Sequence, residues 1–170
     1  MVQNSDRKLI VEPARSEDIH EIAVIYNHYI RTSFSTFEEQ ALSDNEVETR
    51  VQKVRDAMLP WLVARGGGGV VGYCYGRPWH ERAAYRCSVE TSLYVAEGAS
   101  GQGIGTAMYT ALLKEIQSKG FKTAIGGISL PNPASVALHE KFGFQKAAHY
   151  HSVGFKFNEW VDVGYWQLRW

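Results

Sequence analysis

Residues 93–108, LYVAEGASGQGIGTAM, constrain this chain more than any other stretch. An apolar strand pattern ends at Val95. Gly101, Gln102, Gly103, Ile104 and Gly105 then lead into a helical pattern that turns Ala107, Met108, Ala111, Leu112 and Ile116 inward and closes at Gly120. Glycines let a backbone approach a ligand closely, and the N–H groups at a helix start converge on anionic oxygens. Two readings stand at this point: a phosphate or pyrophosphate cradle, or a tight strand-to-helix turn. A dinucleotide fingerprint fits poorly. Its last position falls on Thr106 or Met108, and Gly126 and Gly127 stand on the following strand where an acid would grip a ribose. A Walker A loop lacks its lysine.

The segments around this turn alternate in kind. Residues 9–13 predict an edge strand closed by Pro13. Ser16 is expected to cap a helix with Ile19, Ile22, Ala23, Tyr26 and Ile30 on its inner face. A Ser/Thr/Phe-rich loop follows over 31–42. Ser43 and Glu46 then form a capping box for a second helix that ends before Pro60. WLVA and VVGYCYG flank the glycine run 66–69 as a hairpin, and SVETSLYV is a strong strand. TAIGGISL is a central strand, followed by a helix capped by Asn132 with Pro133 in its first turn and ending at Gly143. Two β-rich runs, 144–157 and 160–170, meet at a turn around Asn158 and Glu159. The order β-α-α-β-β-β-α-β-α-β-β predicts an α/β (α+β) fold: a mixed, mostly antiparallel sheet of about seven strands with helices on both faces.

Composition narrows the function. The 170 residues predict a single domain, 1–170, with 45% hydrophobic residues to fill a core. Eighteen basic residues balance 18 acidic ones, which argues against a nucleic-acid or anionic-membrane binder. No window approaches the roughly 18 apolar residues of a membrane span. The polar start MVQNSDRKLI predicts no secretory leader, so a cytoplasmic location is expected. Cys74 and Cys87 are too few for a disulfide framework or a zinc site, and they are expected as small apolar strand residues. His149 and His151 flank Tyr150 at strand spacing without a third ligand nearby in sequence, so no metal is expected. The five tryptophans, Trp61, Trp79, Trp160, Trp166 and Trp170, are expected in core or interface packing.

The turn resembles motif A of the GNAT superfamily of acyl-CoA N-acyltransferases, Gln/Arg-x-x-Gly-x-Gly/Ala. Here the residues are Ser100-Gly101-Gln102-Gly103-Ile104-Gly105, with Ser100 departing from the usual Gln or Arg. LPNPASVALHEKFGF is similar to a second superfamily motif, through Asn132, Ser135, Leu138, Lys141, Gly143 and Phe144. IYNHYIRTS, PWHERAAYRCSVETSLYV and GFKFNEWVDVGYWQL carry a narrower resemblance, spread over nearly the whole chain, to phosphinothricin / methionine sulfoximine N-acetyltransferases. These resemblances imply the GNAT fold, acetyl-CoA as co-substrate without a metal, a small-molecule amine acceptor, neither nucleic acid nor membrane as partner, and a homodimer.

Glu90 sits within an otherwise apolar and hydroxylic strand just before the turn. From sequence it is either a general base with a raised pKa or a solvent-facing strand glutamate. The resemblance implies the base. His139 stands where the superfamily often has tyrosine, and three roles are open to it: proton donor to the leaving thiolate, acceptor binding, or a satisfied buried histidine. Arg82 is either a clamp for an acceptor carboxylate or a solvated loop arginine. The resemblance implies the clamp, with Tyr85 adding a hydroxyl and Phe37 lining a side-chain pocket. His80 has no assigned role. The resemblance also implies that Leu93, Tyr94 and Val95 line the pantetheine arm, that Gly101, Gln102, Gly103, Ile104, Gly105 and Thr106 hold the pyrophosphate, and that Asn132 and Ser135 contact cofactor or acceptor. The Val95 N–H is the expected donor to the thioester oxygen. A peptide N-terminus, lysine or polyamine acceptor, and a non-catalytic acyl-CoA sensor, are the rival readings.

Overall fold

β1 (Ile10–Pro13), α1 (Ile19–Thr32) and α2 (Asp44–Asp56) precede a hairpin of β2 (Trp61–Gly66) and β3 (Gly69–Pro78). β4 (Ser88–Val95), α3 (Ile104–Ser118), β5 (Thr123–Leu130) and α4 (Pro133–Lys141) follow, and β6 (Gln145–Lys156) and β7 (Glu159–Arg169) end the chain. The structure is a computed structural model that describes residues 9–170. Residues 1–8, on which the expectation of no leader mostly rests, lie outside the described residues. The strands form one sheet in the order β1-β2-β3-β4-β5-β7-β6. Every pairing is antiparallel except β4 with β5, as the mixed-sheet reading expects.

Strand alternation sorts side chains onto two faces. Gly72, Cys74 and Gly76 of β3 point at α3: a Cβ at Gly72 would meet the Met108 side chain, and one at Gly76 would meet Val89 and Ile116. Tyr73 and Tyr75 point the other way, stacked with Trp61, and Tyr94 joins that face against Tyr26 and Tyr29 of α1. Helices thus cover both faces, and the buried core runs from Ile22 and Val51 through Val63 and Val89 to Met108, Leu112 and Ile116.

Several local expectations need correction. Ser16 does not cap α1. A 3-10 turn over Ser16–Asp18 precedes the helix, and the Asp18 carboxylate, 1% exposed, reaches back to accept the Arg15 N–H at 2.7 Å. Arg65 holds the same carboxylate at 2.7 Å, which offsets its burial. The final turn lies at Phe157 and Asn158, both at positive φ, and Glu159 already begins β7. Cys87 is exposed in the turn before β4 rather than in a strand. Gly67 and Gly68 have φ of 67° and 96°, so residues 66–69 are a hairpin turn that needs glycine.

Candidate active site

β4 and β5 pair in register only from Ser88↔Thr123 to Glu90↔Ile125, then part. The opening becomes a cleft of about 570 Å³ between β4, β5, the glycine turn, α3 and α4. Its β4 wall offers backbone groups. The Ala96 N–H donates to Val71 O of β3, so by alternation the amides of Leu93 and Val95 point away from β3, toward the cleft. Val95 O accepts the Tyr29 hydroxyl at 2.8 Å. Tyr94 also lines this wall, but its ring packs toward α1 and its backbone faces β3.

At one end of the cleft the turn provides an anion cradle. Gly98, Gly101 and Gly103 have φ of 76°, 78° and 78°, a region that side chains rarely adopt. Gly103 is the N-cap of α3 in the left-handed conformation, and Ala107 N–H makes the helix's first bond, to Gly103 O. The N–H groups of Ile104, Gly105 and Thr106 precede that bond at the positive end of the dipole. A Cβ at Gly105 would come within 3.3 Å of Leu138, so glycine keeps α3 close to α4. Gln102 turns its side chain back to Gly98 O at 3.3 Å and so contributes backbone alone. Lys141 donates to Thr106 Oγ1 at 3.2 Å, adding positive charge beside the helix start. The cradle therefore suits a pyrophosphate.

α4 positions the second group. Asn132 Oδ1 accepts Ser135 N–H at 3.1 Å and caps the helix, as expected. Asn132, Ser135 and His139 all line the cleft. His139 is 5% exposed, and both ring nitrogens are engaged: Nδ1 lies 2.8 Å from Ser135 O, and Nε2 lies 2.7 Å from Tyr109 Oη. A carbonyl can only accept, so Nδ1 carries the proton and Nε2 accepts from Tyr109. Burial pushes the His139 pKa down, opposed by the Ser135 carbonyl, so the imidazole is neutral at pH 7. Tyr109 is 1% exposed, and its hydroxyl also meets Thr91 Oγ1 at 3.1 Å. Burial raises its pKa, so it stays a protonated donor. Tyr109 was missed from sequence because it falls on the core stripe of α3.

Glu90 approaches from the opposite face of the sheet. Its carboxylate, 16% exposed, pairs with Arg77 at 2.7 Å. A Cβ on Gly127 would stand 3.8 Å from Glu90 Oε1 and 3.2 Å from Tyr165, whereas one on Gly126 would collide with the His139 ring. Consecutive glycines on β5 thus open both faces, and Glu90 and His139 flank the strand rather than converge from one side. Glu90 is not the lone carboxylate in apolar surroundings that its strand suggested.

Arg82, Tyr85 and His80 are exposed in the loop before β4. Tyr85 lies tilted against His80 at 5.0 Å, His80 meets Trp79 edge-on, and Trp79 meets Tyr165 edge-on at 5.6 Å, so the loop reaches the Glu90 side. Phe37 packs against Gly154 of β6. Its loop is clamped by Lys156, which donates to Ser33 O at 2.8 Å and Thr36 O at 2.7 Å and was also missed. Cys74 Sγ sits 3.8 Å from Met108 O, and burial pushes its thiol pKa up, so it offers no nucleophile.

Comparison with known proteins adds an independent line. Residues 11–164 match the acetyltransferase (GNAT) domain family. The chain is 37% identical over 161 residues to a phosphinothricin N-acetyltransferase of Streptomyces viridochromogenes, covering 95% of this chain and 87% of that one. It is 30% identical over 157 residues to an L-methionine sulfoximine/L-methionine sulfone acetyltransferase of Salmonella typhimurium, covering 92% and 91%. The crystal structure of a phosphinothricin acetyltransferase from Sinorhizobium meliloti in complex with AcCoA superposes with a TM-score of 0.92 at 31% identity, covering 95% of this chain and 88% of that one.

Proposed function

This chain belongs to the GNAT acetyltransferase family and is an acetyl-CoA-dependent N-acetyltransferase, and on that premise we propose that its acceptor is the α-amino group of a small amino acid or analogue of the phosphinothricin and methionine sulfoximine class. The parting of β4 and β5 just past Glu90 carries this reading. It leaves an anion cradle at 101–106 and outward-facing strand amides at Leu93 and Val95 on the cleft, with the Glu90 carboxylate on the other face of the sheet.

Acetyl-CoA, when bound, supplies the acyl group as an activated thioester. The N–H groups of residues 101–106 hold its pyrophosphate, and the backbone of Leu93 and Val95 pairs with its pantetheine amides. The Val95 N–H donates to the carbonyl oxygen as negative charge develops there, a reading supported by its direction away from β3. Glu90 takes a proton from the acceptor's ammonium, directly or through one water. A reference α-amine loses its proton near pH 8, so a modest base suffices. Arg77 holds the Glu90 carboxylate in place for that task, at 2.7 Å. As the acceptor nitrogen bonds to the thioester carbon and the C–S bond breaks, the nitrogen's second proton ends on the departing CoA sulfur. Thr91 and Tyr109 present hydroxyls to the cleft, and His139 fixes the direction of the Tyr109 hydroxyl. His139 is thus a positioning residue, a narrower role than the sequence left open. Arg82 clamps the acceptor carboxylate, Tyr85 adds a donor, and Phe37 lines the side-chain pocket.

The protein acts as a homodimer in the cytoplasm. Exposed Tyr150, Val153, Phe155, Phe157 and Trp160 on the β6–β7 hairpin support self-association through that hairpin.

Thiol release from acetyl-CoA tests the reading, with L-phosphinothricin, L-methionine sulfoximine, L-methionine sulfone, a peptide amine and a polyamine as acceptors. Turnover confined to the amino-acid analogues and lost in Glu90→Gln is the expected result. Preference for the peptide or polyamine would replace the acceptor. Saturable acetyl-CoA binding without turnover on any of them would favour a sensor.

A further inference from the structure

The β6 bulge gathers chemistry that acyl transfer does not use. Tyr150 pairs with Val163 and Gly154 with Val161, so His151, Ser152 and Val153 all stand opposite Asp162 alone. Ser152 takes a φ of 48° to make the bend. Histidines two apart on a regular strand stand roughly 7 Å from each other. Here the bulge brings the His149 and His151 rings to 4.2 Å, nearly stacked. Asp162 Oδ2 lies 2.8 Å from His149 Nε2 and 2.9 Å from His151 Nδ1. Its Oδ1 accepts the Ser152 N–H at 2.8 Å. The third partner missing from the sequence neighbourhood of the two histidines thus arrives from β7.

We propose that His149 Nε2, His151 Nδ1 and Asp162 Oδ2 form a surface site for a divalent transition-metal ion of the zinc class, which clips the β6 bulge to β7. The three ligand atoms lie within 4.8 Å of one another. Ligand bonds of about 2.0–2.1 Å to imidazole nitrogen and carboxylate oxygen fit a triad of that span with a small outward shift. Two imidazoles with one carboxylate favour zinc, nickel or copper over magnesium or calcium, which prefer oxygen. The Ser152 amide fixes the carboxylate's orientation, the part an outer-shell partner plays in metal sites. Hydrogen bonds from Ser152 first, then from the histidines, hold the Asp162 pKa down to about 2, so the ligand is ionised at neutral pH. His151 is 78% exposed, which leaves an entry path and an open coordination position.

One neighbour competes. Lys146 Nζ lies 3.1 Å from His149 Nδ1, which places the His149 proton on Nε2. Metal binding at Nε2 shifts that proton to Nδ1 of the neutral imidazole and so turns Lys146 aside, toward the Trp166 ring it already faces at 5.5 Å. Asp162 pairs with Leu130, two residues before Asn132 at the head of α4, so the clip would stiffen the strand end that carries the cleft rim.

The experiment is a calorimetric titration of the chelator-stripped full chain with zinc chloride, with cobalt(II) absorption as a second readout. One ion per chain is expected, and His149→Gln, His151→Gln and Asp162→Asn each weaken binding at least about tenfold. Zinc is expected to raise the melting temperature of the parent and not of the variants. His151→Gln alters an exposed side chain, so its result is readable even where Asp162→Asn loosens the hairpin. His20→Gln, at a distant exposed histidine, is expected to leave binding intact. No one-to-one binding at zinc concentrations up to about 100 µM, a midpoint corresponding to only about 5.5 kcal/mol, overturns the site. Binding that survives all three substitutions, or that disappears in His20→Gln, overturns it equally.

Discussion

Arg77 and Glu90 occupy one register position on β3 and β4, guanidinium against carboxylate at 2.7 Å, on the sheet face away from His139. The pair stands where β4 leaves β5, so the carboxylate is aimed by its partner without being deeply buried. Glu90→Gln is expected to lower kcat by about 10²- to 10⁴-fold, the span of one general base. Arg77→Met removes the partner that aims the carboxylate. Its kcat is therefore expected to fall by about 10-fold, the effect of one lost charge-assisted bond, while KM for acetyl-CoA holds. Identical kcat for Arg77→Met and the parent would remove Arg77 from the account.

Arg82 can be separated from Arg77 by its target. Among the described residues no carboxylate pairs with Arg82, and its side chain is exposed beside Tyr85. If it grips the acceptor carboxylate, Arg82→Ala raises KM for an amino-acid acceptor by about 10-fold or more, the effect of one lost charge-assisted bond. KM for an amine lacking the carboxylate stays unchanged. Equal rises on both acceptors would assign Arg82 to loop structure instead.

His139 makes stability depend on pH. Burial lowers its pKa in the folded chain, whereas the unfolded chain titrates near 6.5. Below about pH 6.5 the unfolded state therefore binds the extra proton, and stability falls as pH drops toward the folded value. The slope from this one group is at most about 1.4 kcal/mol per pH unit. Melting temperatures of the parent and His139→Gln, compared from pH 7.5 to 5, should show the parent losing more on acidification. Parallel curves would mean that His139 is not held neutral by the fold.

Consecutive glycines on β5 predict different failures. Neither Gly126 nor Gly127 has positive φ, so steric space decides both. Gly126→Ala forces the His139 ring off Tyr109, with an overpacking cost of about 1–3 kcal/mol and a lower melting temperature. Gly127→Ala meets Tyr165 at 3.2 Å and needs only a small shift. Its expected effect is on acceptor KM, with stability near the parent's. Thermal melts beside two-substrate kinetics separate the cases, and a swap of the two phenotypes would contradict the face assignment.

Much of this was legible in the chain, and the reason is local. β4 and β5 match the residues expected for them, Ser88–Val95 and Thr123–Leu130, because each is a short β-rich run, one closed by the Ala96–Gly98 turn and the other by Pro131. The Ser43 capping box and the Asn132 cap are contacts three residues apart, which spacing can reveal. Arg77, Tyr109, Lys156 and Asp162 were not legible. Each acts through a partner 10 to 123 residues away, and their residue types read as an edge charge, a core aromatic, a surface lysine and a strand acid. Ser16 misled because Asp18, two residues on, reaches back for the Arg15 N–H instead.

Lys156 shows what such a long-range partner controls. It is 2% exposed, and its ammonium spans Ser33 O and Thr36 O while facing the Phe157 ring at 4.7 Å. Burial lowers its pKa, yet the two carbonyls need its protons, since nothing else in the described residues donates to them from a side chain. Lys156→Met keeps the stem's length and leaves both carbonyls unpaired, at about 1–3 kcal/mol for each group denied its bond. Removal of a desolvated charge returns part of that cost, so the melting temperature drops modestly. The larger effect falls on the loop that carries Phe37. Amide exchange over residues 33–37 should accelerate, and acceptor KM should rise while acetyl-CoA KM holds, because the cradle at 101–106 rests on α3 and not on this loop. If acceptor KM stays at the parent value despite faster exchange, the loop is a surface feature, and Phe37 has no part in the pocket.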